Sequence, residues 1–320
     1  MLPARRERKA TPEELARAGP VLSKTESGGV ELDDLLRVLP GGKLLGAHLP
    51  RDSAMHWIYA AIAAAGFLIL ALAFFSVERA SPLHLLGIGL FTGTVGIVFL
   101  LLVQFCSHFR LGRIHFRGVV GLIMLILAFI GWSYHSALDP DSNFLLSMVG
   151  FTFGVGLCEE LTKAIPIFFY FQRDAAMGWR GACLWGLASG VGFGVSEGIM
   201  YSGDHYNGIS GGEIYIVRFV SCVALHAMWA ASVGIAIAQH LDDYERVSDW
   251  QEFALFALRI LAVPMVLHGA YDTLLKKDMN SWALVTALIS FAWLVVQIER
   301  ARAAQPGAGP PRQRKPRPAY

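Results

Sequence analysis

The sequence predicts an all-α, polytopic transmembrane bundle of about eight spans with both termini cytoplasmic, and three observations carry that expectation. The chain is 54% hydrophobic and only 16% charged over 320 residues, with a positive mean hydropathy, which is too apolar for a water-soluble enzyme. Its apolar residues come in long uncharged blocks, the length that about 20 helical residues need to cross a hydrocarbon core of about 30 Å. Its Lys and Arg residues alternate between connecting loops in the way that cytoplasmic loops require. The formal charge of +2 belongs to loops and tails, so it is no argument for nucleic-acid binding.

Taken in order, the blocks run from Trp57 to Ser76, Leu83 to Phe105, Gly118 to His135 and Phe144 to Phe171, the last unusually long. They continue from Gly181 to Tyr201, Ile214 to Ala238, Phe253 to Leu275 and Ser281 to Glu299. This divides the chain into a polar cytosolic N-terminal tail (1–56), a transmembrane bundle (57–299) and a basic, Pro/Gly-rich, disordered tail (300–320). The first tail contains no apolar stretch of signal-peptide length, so no cleaved leader is expected. Residues Val30 to Leu45 have the pattern of a short surface helix or a weakly ordered lead-in.

Orientation follows from the loops. Arg110, Arg113 and Arg117 sit between the second and third spans, and Arg173 and Arg180 between the fourth and fifth. The connections at 136–143 and 202–213 carry neither Lys nor Arg, which places them outside. Lys276 and Lys277 are the exception, falling in a loop that this orientation puts outside.

The chemistry must lie in the ionisable groups within the apolar blocks, because a charge at a helix centre costs roughly 2.5–3.5 kcal/mol even on lenient insertion scales. The fourth span holds Cys158-Glu159-Glu160-Leu161-Thr162-Lys163. Lys163 is i+4 from Glu159 and i+3 from Glu160, so either carboxylate reaches it on one helix face. A structural ion pair would account for the lysine and one glutamate and leave the second glutamate an expensive extra. Cys158 is read as a small core residue rather than a nucleophile, and the four cysteines (Cys106, Cys158, Cys183, Cys222) show no pairing pattern. The fifth span carries Glu197 beside a ridge of Gly186, Gly190, Gly194 and Gly198. That four-residue repeat of small residues signals close helix packing, and Glu197, three residues from Gly194, is expected to point into the bundle. Ten histidines occur, and only His226 and His268 sit well inside spans. Asp272 follows His268 at i+4 on the same face. One buried histidine is ordinarily a hydrogen-bonded core residue; two of them with three glutamates and an aspartate favour a functional cluster.

In order along the chain, Glu159-Glu160-x-x-Lys163, Phe193-x-x-x-Glu197, His226 and His268-x-x-x-Asp272 resemble the motif set of the PrsW family of intramembrane proteases. That family is similar in turn to the CAAX-prenyl-protease and bacteriocin-processing membrane enzymes, whose FxxxH motif has a histidine where this chain has Glu197. The likeness is carried by residues of about 140–275, with the motifs within 144–275, and leaves the first three spans and both tails outside. It implies hydrolysis of a peptide bond in a membrane-anchored protein, the best-known family role being cleavage of an anti-sigma factor. On this reading Glu159 or Glu160 is a general base, the other being held by Lys163. His268, aligned by Asp272, binds a metal or polarises the scissile carbonyl, and His226 and Glu197 complete the pocket. A carboxylate-plus-histidine set, with His226 and His268 as metal ligands, suits Zn²⁺, although no HExxH motif is present; a metal-free route is equally open. The alternative from another class is a proton-coupled transporter, since buried Glu, His and Asp also build proton relays. No internal repeat between the two halves supports it.

Overall fold

The computed structural model describes residues 81–108, 118–173, 178–200 and 212–304. Among these the regular structure is entirely helical, with no strand. In chain order the helices are α1 (Pro82–Phe91), α2 (Ile97–His108), α3 (Gly118–Leu138), α4 (Phe144–Gly150), α5 (Leu157–Arg173), α6 (Trp179–Met200), α7 (Gly212–Gln239), α8 (Leu241–Arg246), α9 (Trp250–Lys276) and α10 (Asn280–Ala303). Thr92–Gly96 and Phe151–Gly156 are π-helical turns that join α1 to α2 and α4 to α5 without breaking either rod. The expected spans from the second to the eighth all appear as helices, mostly a turn or less longer than the apolar blocks. The first expected span and the N-terminal tail lie outside the described residues, as does the C-terminal tail beyond residue 304; the first residues of that expected disordered tail, 300–303, instead continue α10.

By length and composition, five described stretches can cross a membrane: Pro82–Ser107, Val120–Leu138, Phe144–Phe169, Trp250–Lys276 and Asn280–Ala303. Their outward faces are apolar, as at Leu125, Leu145, Leu255 and Leu288, each more than 60% exposed. Such faces suit lipid, and the chain is a multi-pass integral membrane protein.

Lipid gives no hydrophobic drive to bring helices together, so close packing of small residues does that work. α6 lies along α7 over most of its length. A methyl group added at Gly186 would meet the Ala230 carbonyl, and one at Gly190 the His226 carbonyl. The other side of α6 meets α1 at Gly89 and the following π turn at Gly93, where an added Cβ at Gly89 would lie 3.1 Å from the Ala188 carbonyl oxygen. The glycine ridge thus faces α7, and Gly192 with Ala188 on the other side of α6 completes its seat against α1.

Lys276 and Lys277, the charges that broke the loop pattern, hold the far end of α3. Lys276 Nζ donates to the carbonyls of Ala137 and Asp139 (both 2.6 Å) and to Ser147 Oγ (3.0 Å). Lys277 Nζ donates to the Ser142 carbonyl at 2.5 Å. Cations belong at a helix C-terminus, where carbonyls lack helical donors. Both lysines thus do a structural job where they stand.

Candidate active site

Glu159, Glu160 and Lys163 occupy the first turns of α5, directly after the π turn Phe151–Gly156. A π turn inserts a residue and so resets the face that the following helix presents. Here the turn is pressed between α3 and α9. An added Cβ at Gly154 would lie 2.9 Å from Tyr134 N, and one at Gly156 would lie 2.8 Å from the Met265 carbonyl oxygen. Thr152 packs on Gly269, the neighbour of His268. Packing at this turn therefore sets the phase of α5 against the helix that carries His268. Further along α5, Pro166 lacks the N–H that would bond the Thr162 carbonyl. Ser189 Oγ, from α6, donates to the adjacent Lys163 carbonyl at 2.7 Å, and Thr92 Oγ1 meets Ser189 Oγ at 2.9 Å.

Of the two glutamates within reach of Lys163, Glu160 takes it: Nζ donates to Glu160 Oε1 at 2.6 Å, with both side chains wholly buried. The same Nζ lies 2.7 Å from His226 Nδ1 and 4.8 Å from the centre of the Phe193 ring. An ammonium has donors only, so His226 Nδ1 accepts and its proton sits on Nε2, which donates to Glu197 Oε2. One lysine thereby connects three of the four motifs.

His268 stands among carboxylates. Its Nδ1 lies 2.9 Å from Glu160 Oε1 and donates to it. Its Nε2 faces Asp272 Oδ2 at 3.4 Å and Glu159 Oε2 at 3.6 Å. Successive side chains leave a helix about 100° apart, and the imidazole spans that gap, with Glu160 at one nitrogen and Glu159 at the other. Among the described residues, Glu159 Oε2 is buried without a hydrogen-bond partner, and so is Glu160 Oε2. Glu159, Glu160, Lys163, His226 and His268 are all buried, whereas the Glu197 and Asp272 side chains are 15% and 25% exposed. The site has a sealed floor and a partly open rim.

Every residue singled out in the sequence is thus in one cluster. Several neighbours were not foreseen. Trp229 stacks on His268 with ring centres 4.5 Å apart and planes at 21°. Tyr134 accepts from Gln104 Nε2 at 2.8 Å and packs with Cys158 and Phe193. Trp229 had a signal, its i+3 spacing from His226; Tyr134 and Gln104 had none, because their blocks carry no charge. Cys158 is buried in that apolar cluster, in keeping with a core role.

Metal coordination passes a first chemical test. Glu159, His226 and His268 offer ligand atoms within 4.8 Å of one another, a nitrogen-and-oxygen set of the kind zinc accepts, and Glu159 brings an acceptor that no other described residue satisfies. Glu159 and His268 Nε2 present lone pairs directly. His226 does so only after giving up the proton directed at Glu197.

The match to known proteins decides among the classes. The model of the PrsW family intramembrane metalloproteases matches residues 109–298, more than half of the chain. The chain belongs to the PrsW family. It is 25% identical to Protease PrsW of Oceanobacillus iheyensis over 183 residues, which cover 57% of this chain and 78% of that protein. No solved structure matches the chain. The match begins before α3 and runs into α10, so it is wider than the stretch of about 140–275 that carries the motifs. Membership makes the chain an intramembrane endopeptidase, and nothing in the match or the geometry favours a transporter.

Proposed function

We propose that Glu159 is the general base of this peptidase, and that Glu160, Lys163 and Asp272 orient the groups around it. One observation carries the assignment. Glu160 Oε1 is committed to both Lys163 and His268, while Glu159 Oε2 is buried, without a hydrogen-bond partner among the described residues, and faces His268 Nε2. The less tethered carboxylate is the one able to take a proton from water. On this reading water lies between Glu159 and His268, Glu159 removes its proton as oxygen attacks the scissile carbonyl, and the protonated Glu159 returns that proton to the leaving amine as the C–N bond breaks. His226, held by Lys163 at Nδ1 and by Glu197 at Nε2, completes the polar wall of the pocket. Zn²⁺, if held by Glu159, His268 and His226, would supply Lewis-acid activation at the same point, and Glu159 would then serve as a ligand in place of the base. Burial of the floor excludes bulk water and strengthens each of these interactions.

The substrate in this proposal is a membrane-anchored protein that enters from the bilayer at the rim formed by Glu197 and Asp272. We also propose that both termini are cytoplasmic. Reporter fusions at exposed Pro140 should read external and fusions after Arg317 cytoplasmic; a cytoplasmic Pro140 fusion would invert the orientation.

The deciding assay uses purified protein in liposomes with single-span peptides. Glu159→Gln should lower cleavage by about 10²–10⁴-fold, the usual worth of general-base catalysis, while the protein still inserts and folds. Near-normal cleavage by this variant would overturn the assignment. In a parallel arm, loss of activity with chelator and recovery with Zn²⁺ would support the metal route, and indifference to chelator the metal-free one.

A further inference from the structure

Trp229 stands one turn beyond His226 on α7, on the same face, and is almost wholly buried. Its indole lies nearly parallel to the His268 ring at 4.5 Å, edge-on to His226 at 5.7 Å and 87°, and 5.7 Å from Lys163 Nζ. Its Nε1–H donates to Ser290 Oγ at 3.0 Å, and Ser290 Oγ donates in turn to the Thr286 carbonyl at 2.9 Å. Ser290 and Thr286 belong to α10, a helix that contributes no ionisable group to the cluster. The indole is therefore clamped at its polar edge by one helix while its face lies against a histidine from another.

We propose that Trp229 is a positioning residue for His268, and that Ser290 is the pin that fixes its plane. The inference rests on the role given above to His268. That ring is useful only if both nitrogens are aimed at once, Nδ1 at Glu160 and Nε2 towards Glu159 and Asp272. Rotation about its outer torsion, which is broad for an imidazole, would spoil both alignments together. A stacked indole resists that rotation, because tilting the imidazole would drive its edge into the face of the larger ring. The indole also covers one face of the imidazole against water. An offset-stacked pair is favourable in itself, but a stack alone leaves the indole free to slide. The Nε1–H to Ser290 bond removes that freedom, since an indole has a single polar donor and here it has a single acceptor.

A filler role and a positioning role predict different results. Trp229→Leu removes the aromatic face, Trp229→Phe keeps a face and loses the donor, and Ser290→Ala keeps the indole and loses the pin. For a single-span peptide, Trp229→Leu should lower kcat by on the order of tenfold or more with KM within about twofold, as misalignment of a catalytic group does. Trp229→Phe and Ser290→Ala should each lower kcat by about threefold, and the double variant should be no worse than Trp229→Phe alone, because both remove one bond. A second readout needs no turnover: the rate at which diethyl pyrocarbonate modifies His268, followed by mass spectrometry. That rate should rise severalfold in Trp229→Leu and little in Ser290→Ala. Equal kcat and equal modification rates for the Leu, Phe and wild-type forms would overturn the proposal. So would a kcat loss that merely tracks the amount of folded protein. If Glu159→Gln stays active while His268 is unmasked in Trp229→Leu, the base assignment fails and the contact survives. If Glu159→Gln is dead and His268 is never unmasked, the positioning role fails alone.

Discussion

α5 and α9 meet twice, and the two meetings are built on opposite principles. Around Glu160 and His268 the contact is polar and buried, with each group held by a partner on another helix. About 12 Å further along α5, Phe168 meets Phe253 and Phe256 of α9 and Tyr244 of α8 in an aromatic cluster, with ring centres 5.2, 6.4 and 5.8 Å away. Aromatic packing degrades gradually as volume is removed, whereas a buried ionic network loses far more when one member goes, because its partner is left charged and unpaired. The helices are thus anchored by the tolerant end and aligned for chemistry by the intolerant one.

Lys163→Met tests the intolerant end and should have the largest effect. It strands Glu160 in a site with no exposure, and losing one member of a buried pair costs about 3–5 kcal/mol. Thermal unfolding in detergent should show a large drop in Tm together with loss of cleavage. Glu160→Met with Lys163→Met should regain part of the stability and none of the activity. Arg259 supplies the control: its side chain is 65% exposed and 3.5 Å from Asp243, so Arg259→Met should stay within about 0.5 kcal/mol of wild type. Equal tolerance of Lys163→Met and Arg259→Met would remove the distinction between the two ends.

Gly190→Ala should come next. The new methyl would press on the His226 carbonyl, forcing α6 away from α7 at a cost of about 1–3 kcal/mol. Displacement of a reacting group by about 1 Å is worth up to 10²-fold in rate, so cleavage should fall further than stability. Gly87→Ala, which has nothing within 4 Å of the new methyl, should be neutral or slightly stabilising. If cleavage and stability fell in proportion at Gly190, the ridge would be holding the fold and not the spacing of Glu197 from His226.

The same contrast explains what could be read from the sequence. Apolar blocks fix helices, and a charge inside one is conspicuous, so α1 to α10 apart from short α8, and the seven polar residues of the cluster, were legible in the residues alone. Which glutamate pairs with Lys163 was not legible: i+3 and i+4 both reach, and the choice is made by the π turn at 151–156 and by His268 arriving from α9. A π turn has no distinct hydrophobic period. Tyr134, Ser290 and Gln104 were missed because uncharged side chains in an apolar helix announce nothing until a neighbouring helix is placed beside them.

Changes at the tolerant end should have the smallest effects, and they sharpen the comparison most. Phe168→Leu removes an aromatic ring from a cluster that keeps the Tyr244 and Phe256 rings together, 5.6 Å apart. Because an apolar replacement of smaller volume leaves no unpaired polar group, the cost should be about 1–2 kcal/mol. Tyr244→Phe should cost still less. Its hydroxyl donates to the Phe168 carbonyl at 3.4 Å, near the limit for a hydrogen bond, so about 0.5 kcal/mol is expected. Since Phe168→Leu keeps that backbone carbonyl, the two changes should be nearly additive in the double variant. Cleavage per folded molecule should stay within about twofold for all three, because nothing in the cluster touches Glu159 or His268. A larger loss of cleavage at unchanged Tm would mean that the aromatic end does more than anchor: it would be setting the tilt of α5, and with it the gap between Glu159 and His268.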